Sequence, residues 1–535
     1  MAARDDIRWD QMTIPRTLRR AAERFGAALA LDDEGVRFGF DELAAASEAA
    51  TRAFLAAGLQ PGERAAIWAP NLWEWVVAAL GIHSAGGVLV PLNTRYKAAE
   101  AGYILRKSRA RVLCTMGEFL GTSYADALAG EQLPDLERVV VFRGASQRGE
   151  PWADFVASGA RVPAGEARAR AEAVAPDDLS DILFTSGTTG NPKGVMTAHG
   201  QNLRVFDTWS RGVGLREGDR YLVVGPFFHS FGYKAGWLAC LIRGAAAIPQ
   251  QVFDAGRVME RIARERVTVL PGAPTIYHAM LAHPDLGKHD LSSLRLAVTG
   301  AAPVPVELVK RMRSELGFES VITAYGLTES CGTVTMCLPD DDPETISRTA
   351  GRALPETEVR CVDADGKEVP RGAPGEIRVR GYNVMRGYFE DPEETAKAID
   401  AEGWLHTGDV GVMDERGYLR ITDRIKDMFI TGGFNCYPAE IENAMYRHPG
   451  IAQAAVIGIP DERMGEVGMA YVVPRPGAVL EPAAVIAWCR EQMANYKVPR
   501  RVEIVPALPT NASGKVLKYE LRDRERGTPR AGDVH

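Results

Sequence analysis

Most of the chain alternates between short runs of β-branched residues and longer segments with the apolar spacing of amphipathic helices. Runs typical of strands lie at Arg64–Trp68, 139–142, 221–224, 267–270 and 294–299. Helical spacing is clear at Ala255–Glu265 and 306–316. Strands that alternate with helices pack as parallel α/β layers. The pattern therefore predicts the α/β class, with a large N-terminal domain of parallel layers.

The pattern changes after Pro355 to short runs separated by turn signals, which predicts a strand-rich subdomain. These signals are Asp363-Ala-Asp-Gly366, Arg371-Gly-Ala-Pro-Gly375 and Asp414-Glu-Arg-Gly417. A further unit begins near Asp423 and has its own pattern of elements. It contains a predicted helix at 438–446, a strand at 454–459 and a helix at 482–493. We therefore expect a separate small α+β domain at the C-terminal end.

One apolar stretch, residues 75–92, is nearly long enough to cross a membrane and carries no formal charge. It also contains three glycines, a histidine and a proline. These residues favour a buried helix that turns through Ala85-Gly86-Gly87 into the strand Val88-Leu89-Val90. We therefore predict no membrane span.

Composition narrows the class of protein. A hydrophobic content of 46% and a charged content of 25% are typical of a soluble globular protein. The net charge of -7 provides no basic field, so we expect no nucleic-acid partner. Seven cysteines without a Cys-x-x-Cys pair indicate neither a disulfide framework nor a zinc site. The N-terminus lacks an apolar signal region, which favours a cytoplasmic location.

The segment 182–194 contains the most informative motif, in which a strand runs into small, hydroxylated and glycine residues. Such a loop lets backbone N–H groups, hydroxyls and one lysine approach phosphate oxygens. Pro192 stands where a Walker motif requires its second glycine, so this is not a P-loop. A flexible glycine turn is the alternative for such a string taken alone. The candidate phosphate ligands are Thr185, Ser186, Gly187, Thr188, Thr189, Gly190 and Lys193.

This loop resembles the phosphate loop of the adenylate-forming superfamily, which includes acyl-CoA synthetases, luciferases and peptide-synthetase adenylation domains. Six further strings match the family's motifs in the family's order and span most of the chain. They are Gly300-Ala301-Ala302-Pro303, Tyr325-Gly326-Leu327-Thr328-Glu329, Trp404-Leu405-His406-Thr407-Gly408-Asp409, Asp423-Arg424-Ile425-Lys426, Gly432-Gly433-Phe434-Asn435 and Asn511-Ala512-Ser513-Gly514-Lys515. The resemblance implies an AMP-forming ligase that uses ATP, Mg²⁺ and coenzyme A.

The resemblance assigns residues to the first half-reaction, in which a carboxylate attacks the α-phosphate of ATP. Two anions must meet, so a cation and fixed donors are needed at the reacting oxygens. Lys515 is implied as that cation, with Glu329 and Thr188 as ligands of Mg²⁺. Asp409 and Arg424 are implied as contacts to the ribose or the phosphate. The remaining nucleotide contacts are expected at Gly300, Ala301, Ala302, Pro303, Thr323, Ala324, Tyr325, Gly326, Thr328 and Ile421.

For the second half-reaction, the resemblance implies rotation of the small domain about a hinge at Lys426. The rotation would withdraw Lys515 and bring Gly432, Gly433 and Phe434 to the pantetheine arm of coenzyme A. The expected domains are residues 1–424 for the adenylate-forming part, 425–427 for the hinge, 428–528 for the mobile domain and 529–535 for the tail. Both a monomer and a homodimer remain open.

The aromatic segment 227–234 matches the part of the family that borders the acyl group. Phe228, Phe231, Tyr233 and Lys234 are predicted to line the pocket, and His229 is the predicted gate near the carboxylate. Half of these side chains would equally suit an aromatic core. The segment has no aspartate to pair with the ammonium of an amino acid, which disfavours peptide-synthetase chemistry.

Three strings, 91–96, 228–236 and 325–337, are similar to actinobacterial ligases for a bicyclic propanoate from steroid-ring breakdown. A bulky polycyclic acid, steroid- or terpenoid-derived, is therefore the expected substrate. Medium-chain fatty acids and aryl acids are the alternatives, and motifs alone leave luciferase-type oxidation open. A non-catalytic nucleotide sensor is the alternative of another class. The intact set of Thr188, Glu329, Asp409, Arg424 and Lys515 argues against it.

Overall fold

The fold was obtained as a computed structural model of the 535-residue chain. It describes residues 11–185, 192–300, 304–424, 427–431, 434–461, 464–493, 495–510 and 516–525. At positions 423, 424, 430, 434 and 435 only the backbone is described. The predicted α/β architecture is confirmed, with a large N-terminal part and a smaller C-terminal part.

An eight-stranded sheet forms the first layer of the large part. The six strands from Leu179–Thr185 to Glu150–Pro151 form five parallel pairs. The other two strands, Lys193–Ala198 and Gly387–Tyr388, are added antiparallel at the edge next to Leu179–Thr185. In spatial order the strands are Gly387–Tyr388, Lys193–Ala198, Leu179–Thr185, Val88–Pro91, Arg64–Trp68, Ala110–Thr115, Arg138–Val141 and Glu150–Pro151. The antiparallel edge carries the predicted phosphate loop.

Two four-stranded sheets form the second layer. One contains Arg220–Val223, Ala246–Pro249, Leu29–Asp33 and Val36–Gly39. The other contains Leu296–Thr299, Ser320–Tyr325, Thr335–Met336 and Arg352–Ala353. The predicted strand 267–270 is reduced to parallel bridges at Val269, which join Tyr221 on one side to Leu296 on the other. Pro271 has no N–H to continue the pairing on the side of Tyr221, whereas Gly272 N–H still donates to Val298 O on the other side.

Helices cover the sheets of the large part. The helix Trp73–Ser84 is buried on nearly every side and leads into the strand Val88–Pro91, as predicted for this apolar stretch. Among the described residues, no helix is both long and apolar enough to span a membrane. The α-helices here are Ile14–Phe25, Phe40–Ala56, Trp73–Ser84, Ala98–Ser108, Tyr124–Ala127, Trp152–Ser158, Ala164–Ala173, His199–Val213, Ser230–Gly232, Ala239–Arg243, Ala255–Glu265, Pro274–Leu281, Val306–Ser314, Pro343–Arg348 and Pro392–Ala398, and a π-helical turn spans Tyr233–Leu238.

The predicted strand-rich subdomain is a four-stranded antiparallel sheet with its own apolar core. Its strands are Thr357–Val362, Pro374–Gly381, Leu405–Met413 and Leu419–Arg424. Turns fall at the predicted Gly-containing sites between them. The last strand ends where the sequence pattern changes, and the next described strand belongs to a different sheet.

The C-terminal part is built on a five-stranded sheet. Alternate residues of Ile451–Asp461 enter two separate apolar clusters, one on each face, because successive strand side chains point to opposite sides. The strands are Phe429–Thr431, Phe434–Cys436, Ile451–Asp461, Gly465–Pro474 and Arg501–Ile504, and the helices are Pro438–Met445, Pro482–Gln492 and Lys518–Glu525. The predicted small α+β unit is therefore present.

Two histidines lie in the core of the large part. The Nε2 atom of His83 is 3.0 Å from the hydroxyl of Tyr233, and its ring meets that of His199 edge-on at 5.3 Å. Burial, followed by the charge of Lys234, lowers the pKa of His83 from 6.5 to about 3. Burial also holds the pKa of His199 well below its usual value. Both rings are therefore neutral at pH 7 in the folded protein.

His83→Gln is expected to make the protein less sensitive to acid. The unfolded chain binds a proton at His83 below about pH 6.5 while the folded chain does not, so stability falls as pH decreases toward 3. The loss amounts to about 1.4 kcal/mol per pH unit for one such group. Urea unfolding between pH 6 and pH 4 would measure the slope. The same substitution at the partly exposed His289 is the control, and equal slopes in all three proteins would contradict the prediction.

Candidate functional site

The predicted phosphate loop connects two antiparallel strands at the edge of the large sheet. The strand Leu179–Thr185 enters the loop and Lys193–Ala198 leaves it, with Thr185 directly opposite Lys193. Ser186, Gly187, Thr188, Thr189 and Gly190 lie outside the described residues. The hairpin thus holds Thr185 and Lys193, the two ends of the predicted loop, next to each other.

Lys193 is already engaged by two residues from a distant segment. Its ammonium is ion-paired with Glu394 and lies 5.1 Å from the centre of the Tyr388 ring. Hydrogen bonds from Lys193 and then Lys397 lower the pKa of Glu394 to about 2. The segment that carries Tyr388 and Glu394 therefore forms one wall beside the phosphate loop.

Glu329 lies in a short turn, Thr328–Ser330, which follows the strand Ser320–Tyr325. Gly326 must be glycine here, because a Cβ would lie 2.1 Å from the carbonyl oxygen of Gly332. The backbone oxygen of Glu329 accepts from Met385 N–H at 2.9 Å. Its Oε1 accepts from the Tyr388 hydroxyl, also at 2.9 Å. The carboxylate is held in place on the same wall as Lys193.

The Glu329 carboxylate would suit a Mg²⁺ ion that is bound together with a nucleotide. A magnesium ion that binds phosphates needs only one or two protein carboxylates and keeps several waters. Within the described parts of the chain, no three acidic, histidine or cysteine side chains are placed so that they could hold a metal ion together. Glu329 offers one oriented carboxylate, and Thr188 lies outside the described residues.

The predicted ribose and adenine contacts lie at a second edge of the site. The Tyr325 hydroxyl donates to Oδ2 of the buried Asp409 at 2.6 Å. In the antiparallel sheet, Asp409 lies opposite Arg424 on the neighbouring strand, which also carries Ile421. Only the backbone of Arg424 is described. The structure therefore brings Tyr325, Asp409 and the backbone of Arg424 together.

The loop after Thr299 begins against the strand that ends at Tyr325. A Cβ on Gly300 would lie 3.1 Å from the carbonyl oxygen of Ala324, so these two residues are adjacent. The Thr323 hydroxyl is already used within the protein, because it donates to the carbonyls of Ile346 and Thr349. Ala301, Ala302 and Pro303 lie outside the described residues.

The aromatic segment 227–234 divides into a partly exposed half and a core half. Phe231 is 37% exposed, and Phe228 packs against His229 with ring centroids 5.6 Å apart. Burial lowers the pKa of His229, so its ring is neutral at pH 7. Tyr233 and Lys234, by contrast, are fully buried and present no exposed polar atom. Their place in the acyl pocket stays a prediction.

The predicted elements of the second half-reaction fall mostly outside the described residues: Lys426, Gly432, Gly433 and Lys515. Phe434 begins the strand Phe434–Cys436, without a described side chain. Asp427, at the end of the predicted hinge, is ion-paired with Arg522 of the last helix. Thr510 and Val516, the described residues on either side of the segment that contains Lys515, pair in an antiparallel bridge.

Sequence reasoning missed three residues of this region: Tyr388, Glu394 and Asp181. Glu394 lies in Asp391-Pro392-Glu393-Glu394, which predicts only the start of a helix. Asp181 is a lone acid inside an apolar strand. An acid in a buried strand is unusual enough to be a signal, but its partner is far away in the chain.

Comparison with known proteins agrees with this geometry. The family model described as AMP-binding enzyme matches residues 18–389, and the AMP-binding enzyme C-terminal domain matches residues 440–515. The chain therefore belongs to the AMP-binding enzyme family, the adenylate-forming class that the motifs predicted. It is an AMP-forming acyl-CoA synthetase, which uses ATP, Mg²⁺ and CoA to convert a carboxylate into its acyl-CoA.

The chain is 52% identical over 520 residues to a ligase from Rhodococcus jostii, with 96% of this chain and 99% of the relative covered. It is 52% identical over 514 residues to a ligase from Mycobacterium tuberculosis, with the same coverage. Both relatives are named 3-[(3aS,4S,7aS)-7a-methyl-1,5-dioxo-octahydro-1H-inden-4-yl]propanoyl:CoA ligase. Among solved structures, ATP-bound MatB from Rhodopseudomonas palustris is similar with a TM-score of 0.85 and 32% identity, covering 96% of this chain and 99% of that one.

Tyr388→Phe is expected to raise the KM for MgATP and to lower the rate of adenylation by about tenfold, the effect of one lost hydrogen bond to a charged group. The ring that lies beside Lys193 is kept, so only the hydroxyl that orients Glu329 is removed. ATP–pyrophosphate exchange at several Mg²⁺ concentrations measures the effect.

Tyr382→Phe is the matched control, because it removes a half-buried hydroxyl that bonds Thr208 and has no contact with Glu329. If both variants behave like the wild type, the Tyr388 hydroxyl does not orient the carboxylate.

Proposed function

We propose that this synthetase activates a bulky polycyclic acid, namely a bicyclic propanoate derived from steroid rings, and transfers it to CoA. The observation that carries the proposal is the 52% identity, over nearly the full length of both chains, to two ligases named for such an acid. Pocket chemistry in the described residues supports it in two ways.

The charges of the aromatic segment are not available to a substrate. Lys234 is paired with Asp181 at 3.0 Å in the core, and His229 is neutral at pH 7. A second carboxylate or an ammonium on the substrate would find no matching charge among these side chains. An uncharged acyl body is therefore favoured over an amino acid or a dicarboxylic acid.

Ser230 supports an acyl body that carries a hydrogen-bond acceptor. Within the described residues its Oγ is buried and has no hydrogen-bond partner. Gly332 lies opposite, where a Cβ would come within 3.0 Å of Ser230 Cβ and 3.4 Å of the Phe206 ring. Glycine at this position lets the chain pack closely against Ser230, and the free hydroxyl is a ready donor to a ring carbonyl. The acid in the relatives' names is a dioxo compound.

The roles of individual residues belong to the same proposal. Glu329 and Thr188 hold Mg²⁺, and Asp409 and Arg424 bind the ribose or phosphate. His229 borders the carboxylate. Lys515 contacts the reacting oxygens in the first half-reaction and is withdrawn by rotation about Lys426 in the second.

A cytoplasmic location is also part of the proposal. All seven cysteines are buried with free thiols, which suits a reducing compartment. The substrates ATP and CoA are most abundant there as well.

The test is a panel of acids assayed by ATP–pyrophosphate exchange with Mg²⁺ and then by acyl-CoA formation. The panel contains the dioxo-octahydroindenyl propanoate, a medium-chain fatty acid and an aryl acid such as ferulic acid. We expect kcat/KM for the bicyclic acid to exceed the others by at least about tenfold, the discrimination that one matched pocket contact supplies. A preference for the fatty or the aryl acid would overturn the substrate assignment while leaving the ligase activity intact.

A further inference from the structure

A fully buried ion pair connects two parts of the site that lie far apart in sequence. The Lys234 ammonium is 3.0 Å from Oδ1 of Asp181, and both side chains have no exposed surface. The same ammonium donates to the Thr197 hydroxyl at 2.9 Å, and that hydroxyl donates to Asp181 at 2.7 Å. Ser180 and Asn202 each donate to the other carboxylate oxygen at 2.8 Å. The carboxylate is therefore fully hydrogen-bonded.

Such a pair is costly to bury, so it is weak as a source of stability. Removing two charges from water carries a desolvation penalty that their attraction often does not exceed. An apolar pair of similar volume would suit this core as well, since the Tyr233 ring beside Lys234 packs against Trp75 and Trp237. What the ion pair and its four matched hydrogen bonds do supply is a fixed geometry.

The Lys234–Asp181 pair connects the strands of the phosphate loop to the segment that is predicted to border the acyl group. Asp181 lies on the strand that enters the phosphate loop, and Thr197 lies on the strand that leaves it. Lys234 lies in the π-helical turn Tyr233–Leu238, directly after the helix that begins at Ser230. Single π-helical turns are rare and frequently lie at functional sites. The ion pair thus joins the two strands that flank the phosphate loop to the segment that is predicted to border the acyl group.

We propose that the Lys234–Asp181 pair is a positioning device that sets the acyl segment 227–232 relative to the phosphate loop and so acts on adenylation. Both side chains are fully buried, so the pair acts through the two segments that it joins. The inference rests on the proposed placement of the acyl group beside Phe231. A shift of about 1 Å in such a site can reduce the rate by about 10²-fold. Thioester formation, which needs no alignment with the phosphate loop, is not governed by the pair.

The test compares variants in which the effect of the ion pair on adenylation can be distinguished from its effect on stability. Lys234→Met and Asp181→Asn each leave one buried charge alone and are expected to lower the melting temperature. The double variant leaves no charge and is expected to melt within a few degrees of the wild type. Its adenylation kcat should nevertheless fall by about tenfold or more and its KM for the acid should rise. Thioester formation from supplied acyl-adenylate should change by less than about threefold.

Arg261→Met with Glu265→Gln is the matched control, since this buried pair lies within one helix of the second layer. It should leave both half-reactions unchanged. Thr197→Val provides a second variant in case the double variant does not fold. It keeps the ion pair but removes the hydroxyl that bonds both partners, and it should shift kcat and the KM for the acid in the same direction by about threefold.

Wild-type adenylation kinetics in a folded double variant, or in Thr197→Val, would overturn the proposal. So would an equal loss of both half-reactions, which indicates a general effect on the fold. Phe231→Ala tests the pocket placement separately. If it leaves the KM for every acid unchanged, the acyl group lies elsewhere and the proposed pocket fails rather than the coupling.

Discussion

Lys515→Ala should slow acyl-adenylate formation by about 10²-fold to 10³-fold, the range for loss of one group that stabilises developing charge. The substrate carboxylate and the α-phosphate repel each other, and a lysine at the reacting oxygens cancels that repulsion. The thiol attack of the second half-reaction has no such need. Thioester formation from supplied acyl-adenylate should therefore be largely spared. ATP–pyrophosphate exchange and an acyl-CoA assay measure the two steps separately.

Arg501→Ala is the control for this prediction, because it removes an exposed cation from the same C-terminal part. It should leave both half-reactions at the wild-type rate. Equal loss of the two half-reactions in Lys515→Ala would contradict the assignment, since the lysine would then serve both steps or the fold as a whole.

Glu329→Gln has the second-largest expected effect. The amide keeps the size of the side chain and can still accept from the Tyr388 hydroxyl, but it loses the charge that we propose binds Mg²⁺. We expect the exchange rate to fall by about 10²-fold and the Mg²⁺ concentration for half-maximal rate to rise. Thioester formation from supplied acyl-adenylate involves no pyrophosphate and should fall less.

The control for Glu329→Gln is the same change at the exposed Glu344, which lies 3.8 Å from Lys310 at the surface. An unchanged Mg²⁺ dependence in Glu329→Gln would show that the carboxylate does not bind the metal. Glu329→Gln removes the charge of the carboxylate, whereas Tyr388→Phe removes the hydrogen bond that orients it. Comparing the two variants therefore separates the effect of charge from the effect of orientation.

Most elements of the fold could be predicted from local patterns. The helix Ala255–Glu265 and the strand Arg64–Trp68 have the predicted bounds, because their apolar spacing is regular and their ends carry clear signals. The segment 267–270 was the weakest case. Its β-branched residues indicate a strand, but Pro271 has no N–H to continue the pairing with the strand Arg220–Val223 beyond Val269.

The parts of the site that could be predicted are those that lie in continuous motifs. A glycine-rich loop after a strand carries its chemistry in its own backbone, and six further motifs in the family's order distinguish it from a flexible glycine turn. The same holds for the turn that presents Glu329. The partners Tyr388 and Glu394 could not be found this way, because they come from a segment whose local pattern indicates only a short strand and a helix start.

Local periodicity and contiguous motifs were therefore enough for the α/β class, the two-part organisation and the adenylate-forming chemistry. They were not enough to predict which charged side chains form ion pairs with each other. Lys193 was expected to bind phosphate, and it is paired with Glu394 in this structure. Lys234 was expected to line the acyl pocket, and it is buried against Asp181. Electrostatic and hydrogen-bond energies depend on distances of a few ångströms between residues far apart in the chain, and only the folded packing brings such residues together.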